Sequence, residues 1–196
     1  MGRYGSKKIG IMGGTFDPVH AGHLVIAEQA REEFALGKVI FMPAGIPPHK
    51  KKAFAPPVHR FEMVRIAVSG NRYFEASDME IKRKKPSYTY DTVSLVQAQN
   101  PGAEIFFITG EDAFYELKTW YRYKGLVRKT VFLVAPRGKK RRIPEMPFLK
   151  YEFIDSPCME ISSSYIRDCL LHGKTVKYLV PDRVLGYIRR HCLYGA

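Results

Sequence analysis

The sequence predicts an α/β fold: a doubly wound, mostly parallel sheet in a single domain over residues 1–196. Three observations predict it. Apolar runs of strand length alternate with segments of helical periodicity along the chain. The runs, such as Val39-Ile40-Phe41-Met42, do not alternate with polar residues, as expected where both sheet faces are covered. The 196 residues contain no repeat, low-complexity tract or linker and suit one core.

The elements follow in order. Residues 7–12, KKIGIM, read as the first strand. The helix AGHLVIAEQAREEF follows, with Leu24, Ala27, Ala30 or Arg31, and Phe34 at helical spacing and Gly37 as its stop. KVIFMP is the second strand, and a long loop, AGIPPHKKKAFAPP, leads to a helix over RFEMVRIAVSG. YFEASDMEI reads as another strand. The next helix follows a basic loop, is capped by Thr89 or Asp91, and stops at Asn-Pro-Gly.

AEIFFITG is a further buried strand. EDAFYELKTWYRYKGLV is helical but broken near Trp120. Strands KTVFLVAP and KYEFID flank the basic loop RGKKRRIPEMP. SSSYIRDCLLHG is a helix with a serine cap and a glycine stop, and PDRVLGYIRRHCL closes the chain with Pro181 in its first turn. Residues 1–7 are expected to be a flexible extension. In such sheets ligands sit beyond the carboxyl ends of the strands. That gathers loops 13–20, 43–50, 109–112, 135–142 and 156–163 at one edge.

Composition narrows the partner. Thirty-two Lys and Arg against nineteen Asp and Glu give a net charge of +13. Such a surplus suits a phosphate-bearing partner, either nucleic acid or a small polyphosphate. Cys158, Cys169 and Cys192 form no CxxC pattern, so neither a disulfide framework nor a zinc site is indicated, and a reducing cytoplasm is the simple reading. No stretch approaches membrane-spanning length.

The chemistry concentrates in residues 13–23, GGTFDPVHAGH. This is neither GxGxxG nor GxxxxGK[ST]. Gly13 and Gly14 still end a strand before a helix, where backbone without side chains lets a ligand approach. The helix start adds free N–H groups and a positive end. His20 and His23 are three apart, so both face one side of that start and can donate to phosphate oxygens. A second anion site is suggested at Ser163 and Ser164, which open a helix, with Arg167 one turn on.

GGTFDPVHAGHL resembles the signature of the nucleotidyltransferases that carry an HxGH sequence. Within that superfamily the chain is similar to the bacterial nicotinate-nucleotide adenylyltransferases. FMPAGIPPHK, PSYTYDT, TGEDAFYELKTW, ISSSYIR and YLVPDRVLGYI match that family's motifs in order, so the resemblance spans roughly residues 8–194. Ser164 stands where threonine is commoner and Glu111 where a small residue is usual. The basic run at 139–142 is longer than the pattern requires.

The resemblance implies a Rossmann-like nucleotidyltransferase fold and a reaction in NAD biosynthesis. ATP and nicotinate mononucleotide would give nicotinate adenine dinucleotide and pyrophosphate. A phosphate monoester carries about −1.5 to −2 charge at pH 7, so it needs little activation as a nucleophile. By resemblance His20, His23 and Arg167 are catalytic. ATP would contact Gly13, Gly14, Thr15, Phe16, His20, His23, Gly110, Asp112, Ile161, Ser163 and Arg167. Nicotinate mononucleotide would contact Thr15, Lys50, Thr89, Trp120 and Arg137. Trp120, the only tryptophan, would stack on the pyridinium ring. Mg2+ is implied with ATP, and the protein itself is expected to hold no metal. Neither nucleic acid nor membrane is an expected partner. Two alternatives remain: another HxGH-type enzyme, acting on phosphopantetheine or nicotinamide mononucleotide, or a basic nucleic-acid-binding module.

Overall fold

The computed structural model describes residues 7–47, 53–136, 143, 145–157 and 159–196. Among them six parallel strands form one sheet: β1 (Lys8–Gly14), β2 (Lys38–Pro43), β3 (Phe74–Ala76), β4 (Glu104–Gly110), β5 (Val131–Ala135) and β6 (Lys150–Phe153). Their order is β3-β2-β1-β4-β5-β6, with Ile9 beside Lys38 on one side and Ile105 on the other. The order reverses between β1 and β4. A crevice at the carboxyl end of such a reversal is where doubly wound sheets bind ligands.

Successive strand residues enter opposite cores, because side chains alternate across a sheet. Ile9 and Ile11 of β1, Ile40 and Met42 of β2, and Phe132 and Val134 of β5 fill one core. Met12, Val39, Phe41 and Leu133 fill the other. This is why the runs look continuously apolar. Helices α1 (Ala21–Glu33), α2 (Pro57–Val68), α7 (Ser163–Leu171) and α8 (Asp182–Arg190) cover the Phe41 face. Helices α4 (Thr89–Gln99), α5 (Glu111–Tyr115) and α6 (Tyr123–Leu126) cover the Ile40 face.

Four local readings are corrected. Helix α1 ends at Glu33, and Ala35 rather than Gly37 takes the left-handed turn, with φ 51°. Helix α2 begins three residues before Arg60, with Pro57 in its first turn. The segment 73–81 is a strand only over Phe74–Ala76. Met79–Lys82 forms a helical turn, α3, which carries Glu80 inward. Helix α4 is preceded by Tyr88, and neither Thr89 nor Asp91 caps it. The break at Trp120 is as expected: α5, a 3-10 turn at Leu117–Thr119 and α6 follow one another.

Candidate active site

Strand β1 delivers the glycines to the reversal of the sheet. A Cβ at Gly13 would lie 2.9 Å from the Phe107 ring, and one at Gly14 would lie 3.1 Å from the Phe16 ring. A side chain at Gly13 would displace the Phe107 ring, and one at Gly14 would need the Phe16 ring to give by a few tenths of an ångström. Phe16 takes φ 50° and is buried, and a cis Asp17–Pro18 bond leads to His20. His20 precedes α1 and is buried. Its backbone N–H donates to His23 Nδ1 at 3.2 Å, and the two rings stack at 3.6 Å. Phe16 meets His23 edge-on at 4.9 Å. The HAGH spacing thus locks two imidazoles together at the start of one helix.

The backbone anion site expected at α1 is partly closed. Ala21 N–H donates to Leu179 O at 2.8 Å, and His23 N–H donates to His20 O at 3.0 Å. The start of α7 is better placed. Ser162 caps it by accepting from Tyr165 N–H, and the N–H groups of Ser163 and Ser164 have no acceptor within the helix. The Ser163 hydroxyl donates to Pro18 O at 2.9 Å and so joins the two helix starts. Arg167 donates to Asp17 O at 2.6 Å and to Ser164 Oγ at 3.3 Å, and it lies over the Phe54 ring at 4.1 Å. Thr15, His20, His23, Ser162, Ser163, Ser164 and Arg167 line one cavity of about 250 Å³. Ile161 flanks it, 3.7 Å from where a Gly22 Cβ would sit.

A second cavity, of about 480 Å³, meets the first at Thr15. Gly13, Gly14, Thr89, Phe107 and Trp120 line it, with Tyr88 and Tyr121. The Tyr88 and Tyr121 rings stack at 4.4 Å. Trp120 stands edge-on to Phe107 at 5.8 Å and to Phe132 at 6.3 Å. The uncapped start of α4 adds first-turn N–H groups at this cavity, which suits an anionic group. Gly110 ends β4 and Asp112 lies in the first turn of α5, at the same edge of the sheet, although neither lines these two cavities. Lys50, Arg137 and the basic run 139–142 lie outside the described residues.

Sequence reasoning missed the buried polar groups behind these cavities. Arg60 is fully buried and donates to three backbone carbonyls: Thr15 at 2.7 Å, Ala55 at 3.2 Å and Gly45 at 3.3 Å. Burial lowers its pKa and the charge of Asp17 opposes that, yet an arginine stays protonated. A signal existed, since Arg60 shares the apolar stripe of Met63 and Val64. The Asp17 carboxylate accepts from Phe54 N–H at 2.6 Å, Ala55 N–H at 3.1 Å and Tyr194 OH at 2.6 Å. Glu80 lines the second cavity and accepts from Thr92 Oγ1 at 2.5 Å. Burial pushes its carboxyl up, against hydrogen bonds from Thr92 and Ser87. Ser87 Oγ in turn accepts from Gly45 N–H at 2.9 Å.

Among the described residues no three His, Cys, Asp or Glu side chains form a metal-binding group. Cys169 and Cys192 are free thiols. No described helix is long and apolar enough to cross a membrane.

The cytidylyltransferase-like family model matches residues 11–169. A relative from Desulfitobacterium hafniense (strain Y51), named probable nicotinate-nucleotide adenylyltransferase, is 46% identical over 96% of both chains. One from Synechococcus sp. with the same name is 40% identical over 96% of this chain and 95% of its own. The Plasmodium falciparum nicotinic acid mononucleotide adenylyltransferase, solved in complex with NaAD, superposes with a TM-score of 0.79. It is 21% identical over 96% of this chain and 97% of that one, a likeness that shows the fold. The chain belongs to the cytidylyltransferase-like nucleotidyltransferases and, within them, to the nicotinate-nucleotide adenylyltransferase family.

Proposed function

We propose that the protein transfers the adenylyl group of ATP to nicotinate mononucleotide, giving nicotinate adenine dinucleotide and pyrophosphate in NAD biosynthesis. One observation carries the reading. A polar cavity with two helix starts and Arg167 meets an aromatic cavity at a single residue, Thr15. The first suits a triphosphate. The second suits a pyridinium ring beside Trp120 and a carboxylate at the start of α4. The joining phosphates would then meet over Gly13, Gly14 and Thr15.

The reaction forms a bond from a phosphate oxygen of the mononucleotide to the α-phosphorus of ATP and breaks the α–β bridge. The leaving pyrophosphate takes the electron pair. Positioning and charge stabilisation do most of the work in such a transfer. His23 Nδ1 accepts a backbone proton, so the neutral ring carries its own proton on Nε2. That N–H is a fixed donor for a phosphoryl oxygen as charge spreads. His20 holds it through the backbone bond and the stacked ring. Arg167 and the α7 start take the β- and γ-phosphates. Gly110 and Asp112 are assigned to the ribose of ATP.

Mg2+ would be held by the phosphate oxygens of ATP and by water, and would shield the charge of the triphosphate. The donor set fits this arrangement. Asp17, the carboxylate lining the phosphate cavity, has its oxygens committed to Phe54, Ala55 and Tyr194. A cytoplasmic setting follows from the substrates. The test is pyrophosphate release with ATP and, separately, nicotinate mononucleotide, nicotinamide mononucleotide and 4′-phosphopantetheine. Turnover is expected with the first far above the others. Preferred turnover of phosphopantetheine would overturn the assignment.

A further inference from the structure

We infer that Tyr194, the third residue from the end of the sequence, is a positioning residue for the phosphate clamp Arg167. The inference rests on the assignment of the first cavity to the ATP phosphates.

Asp17 is the hub. The residue is 4% exposed, and its carboxylate is held from two directions. The N–H groups of Phe54 and Ala55 donate from one side, and the Tyr194 hydroxyl donates at 2.6 Å from the other. The same residue's carbonyl accepts from Arg167 at 2.6 Å. Phe54, tethered to Asp17 through its N–H, places its ring 4.1 Å from the guanidinium. Both groups that orient Arg167 on this side are therefore anchored on Asp17. The Ser164 hydroxyl, on the same helix, is the third.

Tyr194 is built for this contact rather than for solvent. It takes a left-handed conformation, φ 62°, in the 3-10 turn Leu193–Gly195. That conformation is unfavourable for a non-glycine residue and persists where surroundings enforce it. Leu193 and Tyr194 pack against the core below α7 and α8. Burial raises the phenol above its ordinary range, and Asp17 raises it further, so the hydroxyl stays protonated and donates. A charged acceptor makes this a strong bond. The carboxylate of Asp17 would otherwise face buried Arg60 with one fewer neutral donor, and Arg60 carries the carbonyls of Thr15, Gly45 and Ala55. The tail thus closes the back of the turn whose front binds phosphate.

The test is a double-mutant cycle on kcat/KM for ATP, read by pyrophosphate release, with melting temperature measured on each protein. Tyr194→Phe keeps the ring and removes the donor. It should lower kcat/KM for ATP by about tenfold, in line with the loss of a hydrogen bond to a charged group. KM for the mononucleotide should change less than about twofold, since the second cavity is untouched. In an Arg167→Ala background the same substitution should cost less than about twofold, because nothing remains to position. Leu193→Ala trims the same tail and leaves the hydroxyl. It should lower the melting temperature with no coupling to Arg167. Additive effects of Tyr194→Phe and Arg167→Ala overturn the inference, as does an equal loss for both substrates. Wild-type turnover with nicotinate mononucleotide is measured alongside. Its failure would strike the substrate assignment, whereas loss of coupling in an active enzyme strikes only the role of Tyr194.

Discussion

His20 donates its backbone N–H to Nδ1 of His23, and the rings of the two residues stack at 3.6 Å. The bond decides which nitrogen of His23 can serve the substrate. With Nδ1 occupied, Nε2–H is the donor of the neutral ring. His23→Ala should leave the fold intact and lower kcat by about a hundredfold or more, as expected for deleting a donor aimed at developing charge. Circular dichroism and steady-state kinetics on the same preparation check it. Near-full turnover by a folded variant would remove His23 from the reaction.

Gly22 supports the same pair from below. An added Cβ would sit 3.2 Å from His20 Nδ1 and 3.3 Å from its Cε1. Alanine is the better helix former, by roughly 0.5–1 kcal/mol within a helix. Gly22→Ala should therefore cost little stability. It should still displace the His20 ring by a few tenths of an ångström and lower kcat by about tenfold, since small misplacements near reacting groups are expensive. A variant with unchanged kcat would show that the His20 ring can shift without moving His23.

The sheet, its two cores and the HAGH turn were legible because they rest on local pattern. Apolar runs report double-sided burial, and histidines three apart at a helix start report two rings on one face. What lay hidden was long-range pairing of polar groups. Asp17 meets Tyr194 across 177 positions and Arg167 meets the Asp17 carbonyl across 150. No periodicity announces such bonds. The sequence places Glu80 at the end of a strand over 73–81, whereas it lies in the helical turn Met79–Lys82, buried and bonded to Thr92. Backbone donors at the start of α4, which has no side-chain cap, leave no trace in side chains, whereas the serines at 162–164 mark the start of α7.

Glu80 gives stability a pH dependence of known sign. Its carboxyl is pushed up in the folded protein by burial. In the unfolded chain it titrates near the ordinary value, about 4.3. The folded state therefore binds the proton more tightly. The contribution is fully present below the unfolded value and is lost as pH rises through the folded one. Glu80→Gln keeps a polar group beside Thr92 and removes this titration. Relative to wild type, the variant should gain melting temperature as pH is raised from about 4 to about 8. A difference independent of pH would mean that Glu80 is ionised throughout and held by Thr92, Ser87 and Arg83.

Trp120 tests the identity of the substrate. Its edge-on contacts with Phe107 and Phe132 are core contacts, and it also lines the aromatic cavity. Trp120→Ala should therefore lower the melting temperature and, separately, weaken one substrate. If the indole face meets the pyridinium, the loss is roughly 1–2 kcal/mol for a desolvated contact, or about five- to thirty-fold in KM for the mononucleotide. KM for ATP should stay within about twofold, because the phosphate cavity shares only Thr15 with this one. Trp120→Phe should restore part of the affinity and most of the stability, since a smaller ring keeps a negative face and an apolar edge. Trp120 is the only tryptophan, so indole fluorescence reports the site directly and should change on adding nicotinate mononucleotide. The readouts separate packing from recognition: melting temperature follows the Phe107 and Phe132 contacts, and the ratio of the two KM values follows the ring stack. A stability loss without any change in that ratio would assign Trp120 to the core alone and move the pyridine elsewhere in the cavity.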